Sequence, residues 1–137
     1  LMSLWAIGRS PLIFGGDMTK LDDFTKQMLT NPEILKVNQE STNNRQVYNE
    51  KNLIVWTADV PDSKDKYVAL FNAQSKGDNI GFSDACDVKV DFKSIGMKRK
   101  AKVVDLWSHT ELGVFKKEFS RELKQHGAGL YRISPVK

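Results

Sequence analysis

The chain has 137 residues, 40% of them hydrophobic and 28% charged, with one Cys, four Pro and nine Gly. That apolar content excludes a disordered chain, and a single cysteine excludes an internal disulfide framework. A complete (β/α)8 barrel needs about 250 residues, so any barrel signature found here belongs to an incomplete one.

No apolar run approaches the ~20 residues that span a bilayer, so a soluble globular segment with no membrane partner is expected. The net charge of +4 is unevenly placed. Residues 1–45 balance five Lys/Arg against five Asp/Glu, whereas residues 46–137 hold sixteen against twelve. The densest basic run is Lys98-Arg99-Lys100-Ala101-Lys102. It reads either as an anion-binding patch or as a solvated turn between two strands. No aromatic residues interleave with these charges as a base-stacking platform requires, so nucleic acid is not expected as a partner. The chain starts at Leu1 without a basic leader or cleavage pattern, and reads as the middle of a longer protein.

The first half has α/β grammar. Leu1 to Ile7 is apolar and helix-permissive, anchored by Trp5 and ended by Gly8. Pro11-Leu12-Ile13-Phe14-Gly15 is a continuous apolar run led by proline, which predicts a short strand buried on both faces. Gly15-Gly16-Asp17 breaks it. Leu21, Phe24, Met28 and Leu29 fall at helical spacing, with Asp22 and Asp23 at the favourable N-terminal end. Asn31-Pro32-Glu33 opens another helix, with Asn as N-cap and Pro in the first turn. One buried strand cannot make a parallel sheet, so its partners are expected elsewhere. Glu40 to Lys51 is polar and Asn-rich, which reads as a linker with a boundary near residue 45.

The second half, 46–137, reads as antiparallel β. Leu53–Trp56 and Tyr67–Phe71 are β-favouring runs, the second apolar on both parities like a central strand. Cys86, Val88, Val90 and Phe92 alternate with Asp87, Lys89, Asp91 and Lys93, giving one buried and one wet face. Ala101–Trp107 and Leu130–Ile133 complete the pattern of a β-sandwich. Phe115, Phe119 and Leu123 lie four apart, which fits a helix, yet they share one parity, which fits a strand. Both readings stay open.

The residues needed for chemistry are sparse. The two histidines, His109 and His126, both sit in turn contexts, and no metal-ligand spacing links them to Cys86. Gly15-Gly16 lacks the continuation of a phosphate-binding loop. Asp105, between apolar neighbours, reads as a partnered structural carboxylate. Asp17 follows the predicted strand at the end where barrel active sites are built, and is the one substrate-contact candidate. Helix capping competes for it. No pair of residues assembles a catalytic site, and no cofactor or metal is expected.

Ser3-Leu4-Trp5-Ala6-Ile7, Ser10-Pro11-Leu12-Ile13, Gly16-Asp17, Leu29-Thr30-Asn31-Pro32-Glu33 and Val37-Asn38-Gln39 closely resemble the last part of an α-galactosidase catalytic barrel. Val68-Ala69-Leu70-Phe71-Asn72, Ser94-Ile95-Gly96-Met97, Asp105-Leu106-Trp107 and His126-Gly127 then follow in the order of that family's C-terminal antiparallel β domain. The departure is Glu40-Ser41, where the family commonly has Asp-Pro. The resemblance implies a mainly β chain: a C-terminal β-sandwich over 46–137, preceded by an α/β remnant of a (β/α)8 barrel over 1–45. It implies a retaining glycosidase that removes terminal α-linked galactose-type sugars with two aspartates about 5–5.5 Å apart. In the family both aspartates lie on earlier barrel strands, so neither role maps onto an Asp of this chain. The expected partners are the remainder of the barrel and, for the parent enzyme, a galactoside. Self-association of the isolated chain is a further expectation, and the family favours a secreted or periplasmic setting. The competing reading is a non-catalytic carbohydrate-binding or assembly module with Trp56, Trp107 and tyrosines as a sugar platform.

Overall fold

A computed structural model describes residues 1–78 and 83–137. Three α-helices lead: α1 (Met2–Ile7), α2 (Asp23–Thr30) and α3 (Pro32–Glu40). Eight strands follow: β1 (Thr42–Glu50), β2 (Leu53–Asp59), β3 (Lys66–Asn72), β4 (Ala85–Asp91), β5 (Lys100–Asp105), β6 (Thr110–Lys116), β7 (Glu118–Lys124) and β8 (Ala128–Val136). Six of them form an antiparallel sheet in the order β1-β2-β3-β8-β5-β6, and β4 pairs with β7 in a second layer.

The sheet is apolar on both sides at β3. Val68 and Leu70 point toward β4 and β7, joining Val88, Val90, Phe92, Phe119, Tyr131 and Ile133 in the sandwich core. Tyr67, Ala69 and Phe71 point the other way, where Ala6, Ile7, Ile34 and Val37 of α1 and α3 cover them. This two-sided burial explains why β3 lacks a polar alternation. The alternation of β4 is real, with Val88 and Val90 buried while Asp87, Lys89 and Asp91 face water.

Phe115 and Phe119 belong to two strands, not to one helix. Lys117 between them takes a left-handed conformation (φ 67°). The chain there leaves the large sheet as β6 and enters the small one as β7. Phe115 and Phe119 meet edge to face at 5.0 Å, and Phe119 meets Tyr131 at 4.9 Å. The four-residue spacing therefore marks a corner between layers.

Two expectations are corrected. Pro11–Gly15, expected as the last barrel strand, forms no strand: no described segment pairs with it, Pro11 has no N–H to donate, and Ile13 is 89% exposed. Glu40 to Lys51, expected as a linker, contains β1, and the expected boundary near residue 45 falls inside this strand. β1 is an edge strand with breaks in register between Thr42 and Arg45 and between Gln46 and Tyr48. Those irregularities and the wet outer side erased the period-2 signal, and they also protect an otherwise open edge.

Gly129 lies two residues before Tyr131 on the core side of β8, and a Cβ there would sit 2.1 Å from the tyrosine oxygen. Gly129→Ala should destabilise the chain by about 1–3 kcal/mol through overpacking, read as a lower urea midpoint at unchanged slope. The start of β1 is pinned by Asp59, which accepts from Asn43 Nδ2 at 2.7 Å and from Lys66 Nζ at 2.5 Å. These contacts, the Asn43 bond foremost, hold its carboxyl below the usual carboxylate value. A lowered folded value stabilises above the unfolded pKa, and that contribution disappears as pH falls through the folded one. Acid unfolding below about pH 4 should therefore be shallower in Asp59→Asn than in the parent chain, measured by circular dichroism across the titration.

Candidate functional site

Asp17, the substrate-contact candidate, sits in an exposed turn. Its Oδ1 accepts from Thr19 N at 2.9 Å and Thr19 Oγ1 at 2.6 Å, capping a single 3-10 turn over Met18–Lys20. Those two bonds hold its carboxyl below the ordinary value, and Lys20 lies 3.7 Å away. Asp105 is occupied in the same manner. It accepts from Trp107 N at 2.9 Å and Ser108 N at 3.2 Å, with Arg121 at 3.9 Å.

The histidines stand apart, both at left-handed turn positions with φ of 55° for His109 and 61° for His126. His126 Nε2 lies 3.3 Å from Ser75 Oγ, but among the described residues no carboxylate is hydrogen-bonded to the ring. The nearest acid to that serine, Asp78, accepts from the backbone of Ser75 and from Asn52. Among the described residues no three of His, Cys, Asp and Glu gather closely enough to hold a metal ion.

What the structure does bring together is a seam between the helical arm (residues 1–41) and the sandwich. Asn31 caps α3 through Oδ1, accepting from Glu33 N at 3.0 Å, and its Nδ2 donates to Leu106 O at 3.1 Å. Across the seam, Asn44 Nδ2 in β1 donates to Ile7 O at 2.7 Å, while within the arm Asn38 Nδ2 donates to Ser10 O at 2.8 Å and Trp5 O at 3.2 Å. Arg9 spans the arm to reach the Asn38 and Gln39 carbonyls, both at 3.1 Å. Trp107 is half-buried, its indole N–H donating to Ser3 Oγ at 2.8 Å. An amide side chain suits such seams because it offers a donor and an acceptor at once. Asn44 and Arg9 were missed from sequence, since a polar residue in a polar stretch carries no periodic signal.

The arm also carries an apolar surface that nothing among the described residues covers. Seven of the nine exposed large hydrophobic side chains among the described residues lie within residues 1–24: Leu1, Leu4, Trp5, Ile13, Phe14, Met18 and Phe24. Phe24 also edges a groove of about 720 Å³ whose walls include Met28, Trp107 and His109. Exposed apolar surface gathered on one element marks a contact surface.

Fold and seam together define an antiparallel β-sandwich bearing an α-helical arm on one sheet face. The chain belongs to the family described as the alpha galactosidase C-terminal beta sandwich domain, which matches residues 50–133. It is 28% identical to an α-galactosidase of Cyamopsis tetragonoloba, covering 97% of this chain and 31% of that protein. It is 30% identical to α-galactosidase 2 of Arabidopsis thaliana, covering 96% and 32% respectively. Among solved structures it is similar to a β-L-arabinopyranosidase from Geobacillus stearothermophilus, with 37% identity and a TM-score of 0.89 over 98% of this chain and 29% of that one. A putative α-N-acetylgalactosaminidase from Bacillus halodurans aligns at 32% identity and TM-score 0.88, over 99% of this chain and 30% of that one. The chain thus spans about a third of the length of the curated relatives it matches.

Asn31 is 7% exposed and serves both the helix cap and the seam. Asn31→Ala should cost about 1–3 kcal/mol by removing the cap and orphaning the Leu106 carbonyl. Amide exchange should accelerate across Pro32–Glu40 with little change in β3, as followed by hydrogen exchange with mass spectrometry.

Proposed function

We propose that the chain is the C-terminal part of a retaining α-galactosidase-like glycoside hydrolase that removes terminal α-linked galactose-type sugars. On this reading residues 1–41 are the closing segment of the (β/α)8 barrel, and the strands from Thr42 onward are the sandwich beside it. The chain supplies no catalytic aspartate and serves as support. The carrying observation is the exposed apolar surface on residues 1–24, in an arm whose other face is already fixed to the sandwich. Burying one such side chain gives about 1.5–3 kcal/mol, so seven of them constitute a strong docking surface for the rest of a barrel. Pro11–Gly15 would become a strand there, once neighbouring barrel strands supply its ladder partners.

The carboxylates support the division of labour. Asp17 and Asp105 are engaged in turns, and a glycosidase of this type needs two carboxyls facing one sugar across about 5–5.5 Å. Trp107 supports it as well, since its ring and N–H are committed to the arm.

The chain alone should give no turnover of an aryl α-galactoside, and galactose should cause no saturable change in its tryptophan fluorescence. Coexpressed with the upstream barrel segment, it should co-purify and the complex should turn the substrate over. Hydrolysis by the chain alone, or an upstream gene region without two strand-end aspartates, would overturn the proposal.

A further inference from the structure

The segment Pro11–Gly15 leaves the folded part of the chain at Ser10, and the hydrogen bonding divides sharply there. On the near side the chain is fixed by side chains of the turn itself, of α3 and of β1. Arg9 donates from Nε to Asn38 O and from a terminal nitrogen to Gln39 O, both at 3.1 Å. Asn38 Nδ2 answers from α3, donating to Ser10 O at 2.8 Å and to Trp5 O at 3.2 Å. Asn44 ties the same corner to the sheet, its Nδ2 reaching Ile7 O at 2.7 Å and Ser41 Oγ at 2.8 Å. Beyond Ser10 the bonding stops. Among the described residues, the next hydrogen bonds along the chain belong to Asp17.

The near side is fixed more firmly than a tether requires. Arg9 holds a left-handed backbone (φ 52°), which is costly for a residue with a Cβ and persists only where the surroundings impose it. Its side chain is exposed, so it is not there to fill a core. The carbonyls it reaches lie in the last turn of α3, where the helix itself supplies no partner. The C-terminal end of α3 thus sets both the place and the direction in which Ser10 hands on the chain. Such precision matters if the chain beyond is a strand. A slip of one residue moves a strand by ~3.3 Å and turns every side chain to the opposite face. The exposed apolar surface of the arm drives docking but sets no register, because apolar burial is non-directional.

We propose that Arg9 and Asn38 are positioning residues: they aim Pro11–Gly15 so that it enters the barrel in a single register. The strand's C-terminal end, with the Gly15–Asp17 turn, is then delivered to the barrel face where substrate is held. The inference rests on the proposed glycosidase reading and adds to it what the sandwich does for the reaction. α3 packs on β3 through Ile34 and Val37 and runs through Ser41 directly into β1. The clamp therefore passes the rigidity of the sheet to the closing strand.

The test uses the complex with the coexpressed upstream barrel segment, isolated by size exclusion and assayed with an aryl α-galactoside. Arg9→Met and Asn38→Leu should still co-purify, because the apolar surface is untouched. Both should raise KM roughly tenfold, since a 1 Å misplacement in a site can cost on the order of 10²-fold. Arg45→Met removes a bond of the same kind elsewhere, from a guanidinium to Ser94 O at 3.1 Å, and should keep the parent KM. A merely structural role would lower the yield of complex without moving KM. Should Asn38→Leu lose its β-sheet circular dichroism, Arg9→Met, at an exposed site, carries the expectation alone. The proposal is overturned if a folded Arg9→Met or Asn38→Leu complex keeps the parent KM, or if Arg45→Met raises it equally. A parent complex without turnover removes the glycosidase reading and this inference with it, whereas an active parent with unmoved KM in the variants removes this inference alone.

Discussion

Strand β3 carries apolar side chains on both of its faces, and neither face can be left to water. Val68 and Leu70 need a cover on one side, and Tyr67, Ala69 and Phe71 need one on the other. At about 25 cal/mol for each Å² of apolar surface buried, that double requirement organises the rest of the chain. The β4–β7 pair and the 3-10 turn after β4 close the first side; α1 and α3 close the second. A sandwich in the usual sense needs only the first closure. The second makes the helical arm part of the same folding unit as the sheet.

The second closure differs in character from the first. The sandwich core is apolar, built chiefly on Val, Leu, Ile and Phe. The arm is held by Ala6, Ile7, Ile34 and Val37 at the centre and by amide hydrogen bonds of Asn31 and Asn44 at the margins. It also contains a cost. The Tyr67 hydroxyl is buried without a hydrogen-bond partner among the described residues, and burial pushes its pKa up. Leaving a buried hydroxyl unpaired costs about 1–3 kcal/mol, which the ring offsets by filling the space beneath the helices.

Much of this was legible before any coordinates. Asn31-Pro32 announced α3, the alternation at 86–93 announced β4, which ends at Asp91, and the apolar run at 67–71 announced a central strand. Each of these signals is local: a cap, a period, a composition. What escaped was relational. β1 is polar because it is an edge, and its broken register hides the period of two. Pro11–Gly15 has the composition of a strand, but a strand exists only in its hydrogen-bonded neighbours. Lys117 looks unremarkable in sequence, yet its left-handed backbone moves the chain from one layer to the other. The candidate site divided along the same line. The motifs of the resemblance contained Asn31 and Asn38, whereas only the fold shows Asn44 and Arg9 donating to carbonyls 29 to 37 residues away.

The contacts that hold the arm also set an order of events in biosynthesis. Trp107 reaches back 104 residues to Ser3, and Asn31 waits 75 residues for the Leu106 carbonyl. At the ribosome's ~5–20 residues per second, the arm emerges several seconds before the strands that receive it. Its apolar face and the Asn31 Nδ2 lack their protein partners throughout that interval. The arm is therefore made before the strands that secure it, and a chain cut short before β8 leaves it exposed to chaperones and proteases. Loss of β8 would thus be sensed on the arm, which meets it through Leu130.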